Sequence, residues 1–137
     1  MKIAPKNSAG EKIFANALTQ EDLDKLSMAV LDKCDALDGL KDGIIGAWES
    51  CKFDPSGLDL PKDKISAIKV IFDGAKNSKG EQIYSGWFYD AGVNQPGWRM
   101  WKLGDSQSAK PNARNIVLSK GSMNYYFLTP PQPEFDL

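Results

Sequence analysis

Hydrophobic positions recur at helical spacing in two stretches of the chain, separated by segments rich in glycine, aspartate and proline. In the first, Leu23, Leu26, Val30, Leu31 and Cys34 form one apolar stripe on an otherwise charged segment, which predicts a helix over about 20–34. Thr19 precedes it as a cap through its hydroxyl, and Glu21 and Asp22 suit the positive end of the helix dipole. Gly39, Gly43 and Gly46 among clustered aspartates favour loop conformations and end the element. The second stretch follows Pro61, a residue suited to the first helical position. Ile65, Ile68, Val70, Ile71 and Phe72 supply its expected buried face, and Gly74 is a natural stop.

Beyond Gly74 the periodicity weakens. Residues 75–111 are rich in Gly, Asn, Ser and Pro, and only Glu81–Tyr84 reads as a short strand. From Ala113 to Leu128 a helix is favoured again, with Ile116, Val117, Met123, Tyr126 and Phe127 as its apolar residues and Gly121 as a break or bend. The end, TPPQPEFDL, predicts a proline-rich extended exit. The first ten residues are polar and are expected to fray, so residues 1–17 should be poorly ordered at their start. No internal repeat, low-complexity run or linker divides the chain. The expectation is one domain over 1–137, of the α+β class, helix-dominated with long irregular loops and short strands.

Composition narrows the range of functions. At 137 residues with 17 Lys+Arg against 18 Asp+Glu, the chain suits one modest core and has no general pull toward nucleic acid or an anionic membrane. No apolar run approaches the roughly 18 residues that span a bilayer. The start, MKIAPKNSAG, lacks the apolar region of a signal peptide. Histidine is absent, which removes the commonest general base, the commonest zinc ligand and every Ser-His-Asp or Cys-His device.

The informative stretch is CDALDGLKDGIIGAWESC, from Cys34 to Cys51, with Asp35, Asp38, Asp42 and Glu49 against the single Lys41. Crowded aspartates repel unless a cation sits among them, and hard oxygen ligands on a glycine-rich loop suit calcium. Set on an EF-hand loop with Asp38 first, Asp42 falls at the fifth position, Gly43 at the sharp turn, Ile44 at the backbone-carbonyl position and Glu49 last. Leu40 stands where a side-chain ligand is required, so the loop is not a regular EF-hand. Asp35 could supply the missing carboxylate. The alternative is an Asx-turn-rich loop with solvated aspartates. A Cys34–Cys51 bridge would tie both ends of this loop and stabilise it by about 3 kcal/mol in the chain-entropy model. The alternative there is two buried free thiols in a cytosolic protein.

CDALDGLKDGIIGAWESCKFDP, preceded by a helix of the LTQEDLDKLSMAVLDK type, resembles the calcium-binding segment of the tannase and feruloyl esterase family. IFDGAKNSKGEQIYSGW resembles a second block of that family, and FLTPPQPEFDL resembles the return to its catalytic domain. The resemblance covers most of residues 18–137 and is weakest between about 88 and 112. It implies a lid domain inserted into an α/β-hydrolase. It also implies calcium on the side chains of Asp35, Asp38 and Asp42 and the carbonyls of Leu40 and Ile44, within a Cys34–Cys51 disulfide. Glu49 has no role in that ligand set.

The family's Ser-Asp-His triad has no counterpart here, so the chain resembles an excised lid without catalytic residues. The partner implied is an α/β-hydrolase domain of the same parent chain, and the compartment implied is secreted or periplasmic. The substrate implied is a phenolic ester with a feruloyl or galloyl group. Tyr84, Trp87, Phe88, Tyr89, Trp98 and Trp101 could form an aromatic wall for such a ring, or a satellite core pinning a long loop. Arg99 could meet a substrate carboxylate, or be solvated and stacked on a tryptophan. The isolated chain is expected to self-associate through the face that packs on the catalytic domain. A stand-alone calcium-dependent module resembling a dockerin is the second reading, weakened because dockerins carry two such loops and one is found here.

Overall fold

The structure, a computed structural model, describes residues 4–133. It contains four α-helices among these residues: α1 (Gln20–Cys34), α2 (Lys62–Phe72), α3 (Pro96–Lys102) and α4 (Arg114–Ser122). Short 3₁₀ turns lie between α1 and α2 and between α2 and α3, an irregular segment joins α3 to α4, and a single π-turn, Met123–Phe127, extends α4. Contacts group the chain into two compact units, Leu18–Gln95 and, from its two ends, Met1–Ala17 with Pro96–Leu137.

The first unit is built on α1. Thr19 accepts a hydrogen bond from the Asp22 amide at 3.2 Å, and Asp22 accepts one from the Thr19 amide at 2.6 Å, closing a capping box. Leu23, Leu26, Val30 and Cys34 are buried, as their spacing requires. Ser27 interrupts that stripe without cost, because its buried hydroxyl donates to the Ala91 carbonyl at 2.6 Å. The α2 helix buries Ala67, Ile68 and Phe72. Val70, expected on the buried face, is exposed instead, since it lies on the opposite side of the helix from Ile68 and Phe72. Pro61 precedes the first helical residue rather than occupying it. Gly74 ends the element at φ +81°, where an added Cβ would meet the Ser85 and Tyr84 carbonyl oxygens at 2.5 and 2.6 Å.

The short strand expected at Glu81–Tyr84 does not form. Among the described residues, pairing is limited to two isolated antiparallel bridges, Lys6 with Lys12 and Lys76 with Gln82. The α+β expectation is therefore corrected to a helix-rich chain almost without strands. Edge residues here hydrogen-bond within a turn, not along a partner strand.

Those two bridges expose a repeat that the expectation of none overlooked. KNSAGEKI at 6–13 and KNSKGEQI at 76–83 fold identically. Asn7 Oδ1 accepts from the Ala9 and Glu11 amides, and Asn77 Oδ1 from the Lys79 and Glu81 amides, all at 2.9–3.0 Å. Each asparagine also donates to the glutamate four residues on, at 3.0 and 2.6 Å. Gly10 and Gly80 sit at φ +80° and +84°, where glycine is unstrained. The Ile13 and Ile83 amides donate back to the Pro5 and Ala75 carbonyls, at 2.9 and 2.8 Å.

The second unit buries Ile13, Ala15, Leu103 and Ala113. Its α3 was not foreseen, because seven residues opened by Pro96-Gly97 show too little periodicity. Gly121 neither breaks nor bends α4 into a loop. The backbone continues helically and widens into the π-turn two residues later. Val117, Leu118, Tyr125, Tyr126 and Phe127 are exposed, so the apolar residues expected to bury this helix largely face outward.

Candidate functional site

The acidic loop begins where α1 ends. Cys34 is buried in the last turn and bonded to Cys51, with Cα atoms 5.3 Å apart. The free-thiol alternative is thereby excluded. The bridge closes a chain segment that folds back on its own amides. Asp35 Oδ1 accepts from the Gly43 amide at 3.0 Å, and Asp38 Oδ2 accepts from the Gly46 amide at 3.1 Å. Shorter Asx turns lie inside that frame, from the Leu40 amide to Asp38 and from the Ile44 amide to Asp42. Gly39 and Gly43, at φ +93° and +83°, make these turns without strain.

Asp35 is the unusual member. Its carboxylate is buried, accepts one amide hydrogen, and has no ion-pair partner among the described residues. Burying a charge without a counter-charge is costly. The carbonyls of Leu40 and Ile44 accept no hydrogen bond among the described residues. The donor chemistry therefore fits a hard cation, with Asp35, Asp38 and Asp42 on one loop. The geometry is less complete: among the described residues, no three acidic, cysteine or histidine side chains stand together as a metal-holding group. Glu49 lies at the far end of the loop, in the turn Trp48–Ser50, and its carbonyl accepts from Lys52 at 3.1 Å.

The aromatic residues divide between the units. Tyr84, Trp87 and Phe88 belong to the first and are exposed, while Tyr89 is half-buried, stacked on Phe72 at 4.5 Å and edge-on to Phe53 at 5.0 Å. Burial, with the charges of Asp73 and Asp54, pushes the Tyr89 phenol up to about 12. Tyr84 and Trp87 wall a groove of about 330 Å³ with Gly74, Ala75 and Gly86. Trp98 and Trp101 belong to the second unit, on α3, and of these Trp101 is exposed. The Arg99 guanidinium donates to the Ala15 carbonyl at 2.8 Å and ties α3 to the amino-terminal segment.

Two residues with functional potential were missed in the sequence. Trp48 packs on Phe88 at 4.2 Å, and Lys52 lies beside it on a groove of about 400 Å³. Their position next to Cys51 was the only available signal. Nothing in the local pattern pairs residues forty positions apart.

The sequence model of the tannase and feruloyl esterase family matches residues 6–137. The chain belongs to that family. It is 32% identical to the mono(2-hydroxyethyl) terephthalate hydrolase of Piscinibacter sakaiensis, over 93% of this chain and 26% of that protein. It is also 31% identical to an uncharacterised esterase of Xanthomonas campestris pv. campestris, over 77% of this chain and 20% of that protein. Among solved structures, feruloyl esterase B from Aspergillus oryzae shares the fold, with a TM-score of 0.60 and 18% identity over 98% of this chain and 26% of that one. The chain thus spans about a quarter of the length of these relatives.

Proposed function

We propose that this chain forms the lid of a secreted carboxylic-ester hydrolase, held by calcium and by the Cys34–Cys51 disulfide, covering an α/β-hydrolase active site. The substrates are esters of phenolic acids, of the feruloyl or galloyl type. The parent reaction is acyl transfer to a serine followed by attack of water on the acyl-enzyme. With no histidine, this chain contributes shape and specificity and no catalytic group.

One observation carries the reading. The two copies of the KNSxGExI turn have the same backbone, yet Ile13 is 2% exposed and Ile83 is 59% exposed. The same contrast continues into Tyr84 and Trp87, at 72% and 67%. A fold that buries this face in one copy leaves it open in the other, as a surface meant to meet an aromatic substrate would be. Family membership favours this reading over a dockerin-like module. No helix among the described residues is long and apolar enough to cross a membrane. The disulfide suits an oxidising compartment, in keeping with secretion.

Calcium belongs to the proposal through Asp35, Asp38 and Asp42 and the carbonyls of Leu40 and Ile44. Bound there, it would supply the positive charge that the buried Asp35 lacks.

Kinetics of the intact hydrolase test the lid reading. Tyr84→Ala and Trp87→Ala should each raise KM for methyl ferulate by about tenfold, the scale of one lost aromatic contact, and much less for 4-nitrophenyl acetate. Equal effects on both esters, or none on either, would remove the lid surface from substrate recognition.

A further inference from the structure

We propose that the groove between the end of α1 and residues 52–58 binds a phosphate monoester, its dianion held between the Lys33 and Lys52 ammoniums and its organic group resting on Phe53 and Leu58. This is independent of the lid reading, since it concerns a different class of ligand, held by this chain alone.

The disulfide brings the two lysines together. Lys33 immediately precedes Cys34 and Lys52 immediately follows Cys51, and the Cα atoms of the bonded cysteines stand 5.3 Å apart. Lysines distant in sequence thereby line one groove of about 380 Å³, within the range of about 300–1,000 Å³ that small-molecule sites occupy. Ala29 and Lys33, one helical turn apart, form its α1 wall. Phe53 and Leu58, both half-buried, supply its apolar lining. Each is held from behind. The Phe53 ring stands edge-on to Tyr89 at 5.0 Å, and the Leu58 amide donates to the Pro55 carbonyl at 3.1 Å.

The balance of charge selects the ligand. Among the described residues Asp54 is the one acid lining the groove, and it is already engaged: the Lys69 ammonium pairs with it at 3.5 Å and the Ser56 amide donates to it at 2.9 Å. Lys69 also donates to Ser56 Oγ at 2.6 Å, which fixes that pair. Neither Lys33 nor Lys52 faces a carboxylate within ion-pair distance among the described residues. Lys52 donates once, to the Glu49 carbonyl at 3.1 Å, which positions its ammonium and leaves two hydrogens for a ligand. Two positive charges on this groove are therefore uncompensated. A carboxylate or a sulfate ester answers one of them, whereas a phosphate monoester carries about −1.5 to −2 at pH 7 and answers both. Lysine meets phosphate as a point charge, without the planar fork that favours carboxylates. Both lysines are exposed, so each pairing is weak by itself and the site depends on the two acting together.

Amide NMR shifts of the isotope-labelled chain, titrated with butyl phosphate at about pH 8, where the ester is a dianion, test this. Butyl sulfate serves as the same body with one charge, and inorganic phosphate as the charge without the body. Butyl phosphate should shift the Lys33, Cys34, Lys52 and Phe53 amides saturably, and about fivefold more tightly than butyl sulfate, the upper scale of one exposed ion pair. It should exceed inorganic phosphate by about fourfold, the value of one buried methylene. Lys33→Met and Lys52→Met should each weaken butyl phosphate by about fivefold, and together they should erase its preference over butyl sulfate. Cys34→Ser with Cys51→Ser keeps both lysines and should weaken binding as much as losing one of them. Circular dichroism shows whether that chain folds, and the lysine variants decide alone if it does not. Absence of saturation by about 50 mM, well above a weak millimolar Kd, overturns the proposal. So does equal binding of butyl sulfate, or a double lysine variant that still prefers butyl phosphate. Equal binding of inorganic phosphate overturns the ester and leaves an ion site alone. Failure of the lid reading would show instead in ester kinetics, with this binding intact.

Discussion

The Lys64 ammonium of α2 lies 2.5 Å from Asp22 Oδ2 on the first turn of α1, and the same carboxylate oxygen caps that helix through the Thr19 amide. One side chain thus joins a helix start to a neighbouring helix. Burial by itself pushes the Asp22 carboxyl up, but the hydrogen bonds from Lys64 and Thr19 outweigh it and hold the group below its ordinary value. The native state therefore binds this proton less readily than the unfolded chain. Its contribution is complete above the unfolded value of about 3.9 and is lost as pH falls through the lower native value. Asp22→Asn should cost about 2 kcal/mol near neutrality, between an exposed pair and a fully buried one. Urea midpoints from pH 6 to 2 should fall less steeply for the variant than for the parent chain, as the linkage requires.

Replacing both cysteines, Cys34→Ser with Cys51→Ser, should lower stability by about 3 kcal/mol in the chain-entropy model. Urea denaturation with and without reductant measures it. The parent chain should drop to the level of the variant when reduced, and the variant should ignore reductant. Equal midpoints throughout would show that the loop is held without the bridge.

Calcium should raise the melting temperature, because a ligand that binds only the native state stabilises by about 2.7 kcal/mol at a hundredfold excess over its Kd. Asp35→Asn removes the buried charge that favours the cation. It should abolish the shift between EDTA and millimolar calcium while leaving the EDTA midpoint equal or higher. Parallel shifts in both chains would place the cation elsewhere.

Leu118, Tyr125, Tyr126 and Phe127 leave an apolar face exposed on α4 and its π-turn. The isolated chain should therefore self-associate, with a sedimentation coefficient that rises with concentration. Tyr126→Glu with Leu118→Glu should return it to a concentration-independent monomer. A parent chain that sediments alike at all concentrations would leave this face without a partner.

Local physics made much of this protein readable in advance. The stripe from Leu23 to Cys34 specifies α1 because 3.6-residue periodicity needs no partner to be seen, and Thr19 marks its start through a bond made within one turn. The stop at Gly74 follows equally locally, from a positive φ that other residues resist. The aspartates of the loop could be singled out by spacing, and the asparagine turn at 6–13 is repeated at 76–83 in plain letters, though only the matching hydrogen bonds drew attention to it.

The rest depended on contacts that local pattern does not encode. Glu81–Tyr84 has strand-like residues, but with no neighbouring strand among the described residues its backbone pairs inside a turn. The Arg99 guanidinium bonds the Ala15 carbonyl, 84 positions away, a contact that no local pattern encodes. Whether the cysteines bond, and whether Trp48 meets Phe88, are questions of distance in space. Sequence alone determined where α1 and α2 begin and end, because those energies act within a few residues. Tertiary structure decided which aromatic faces are covered and which charge is buried, because burial belongs to the packed whole.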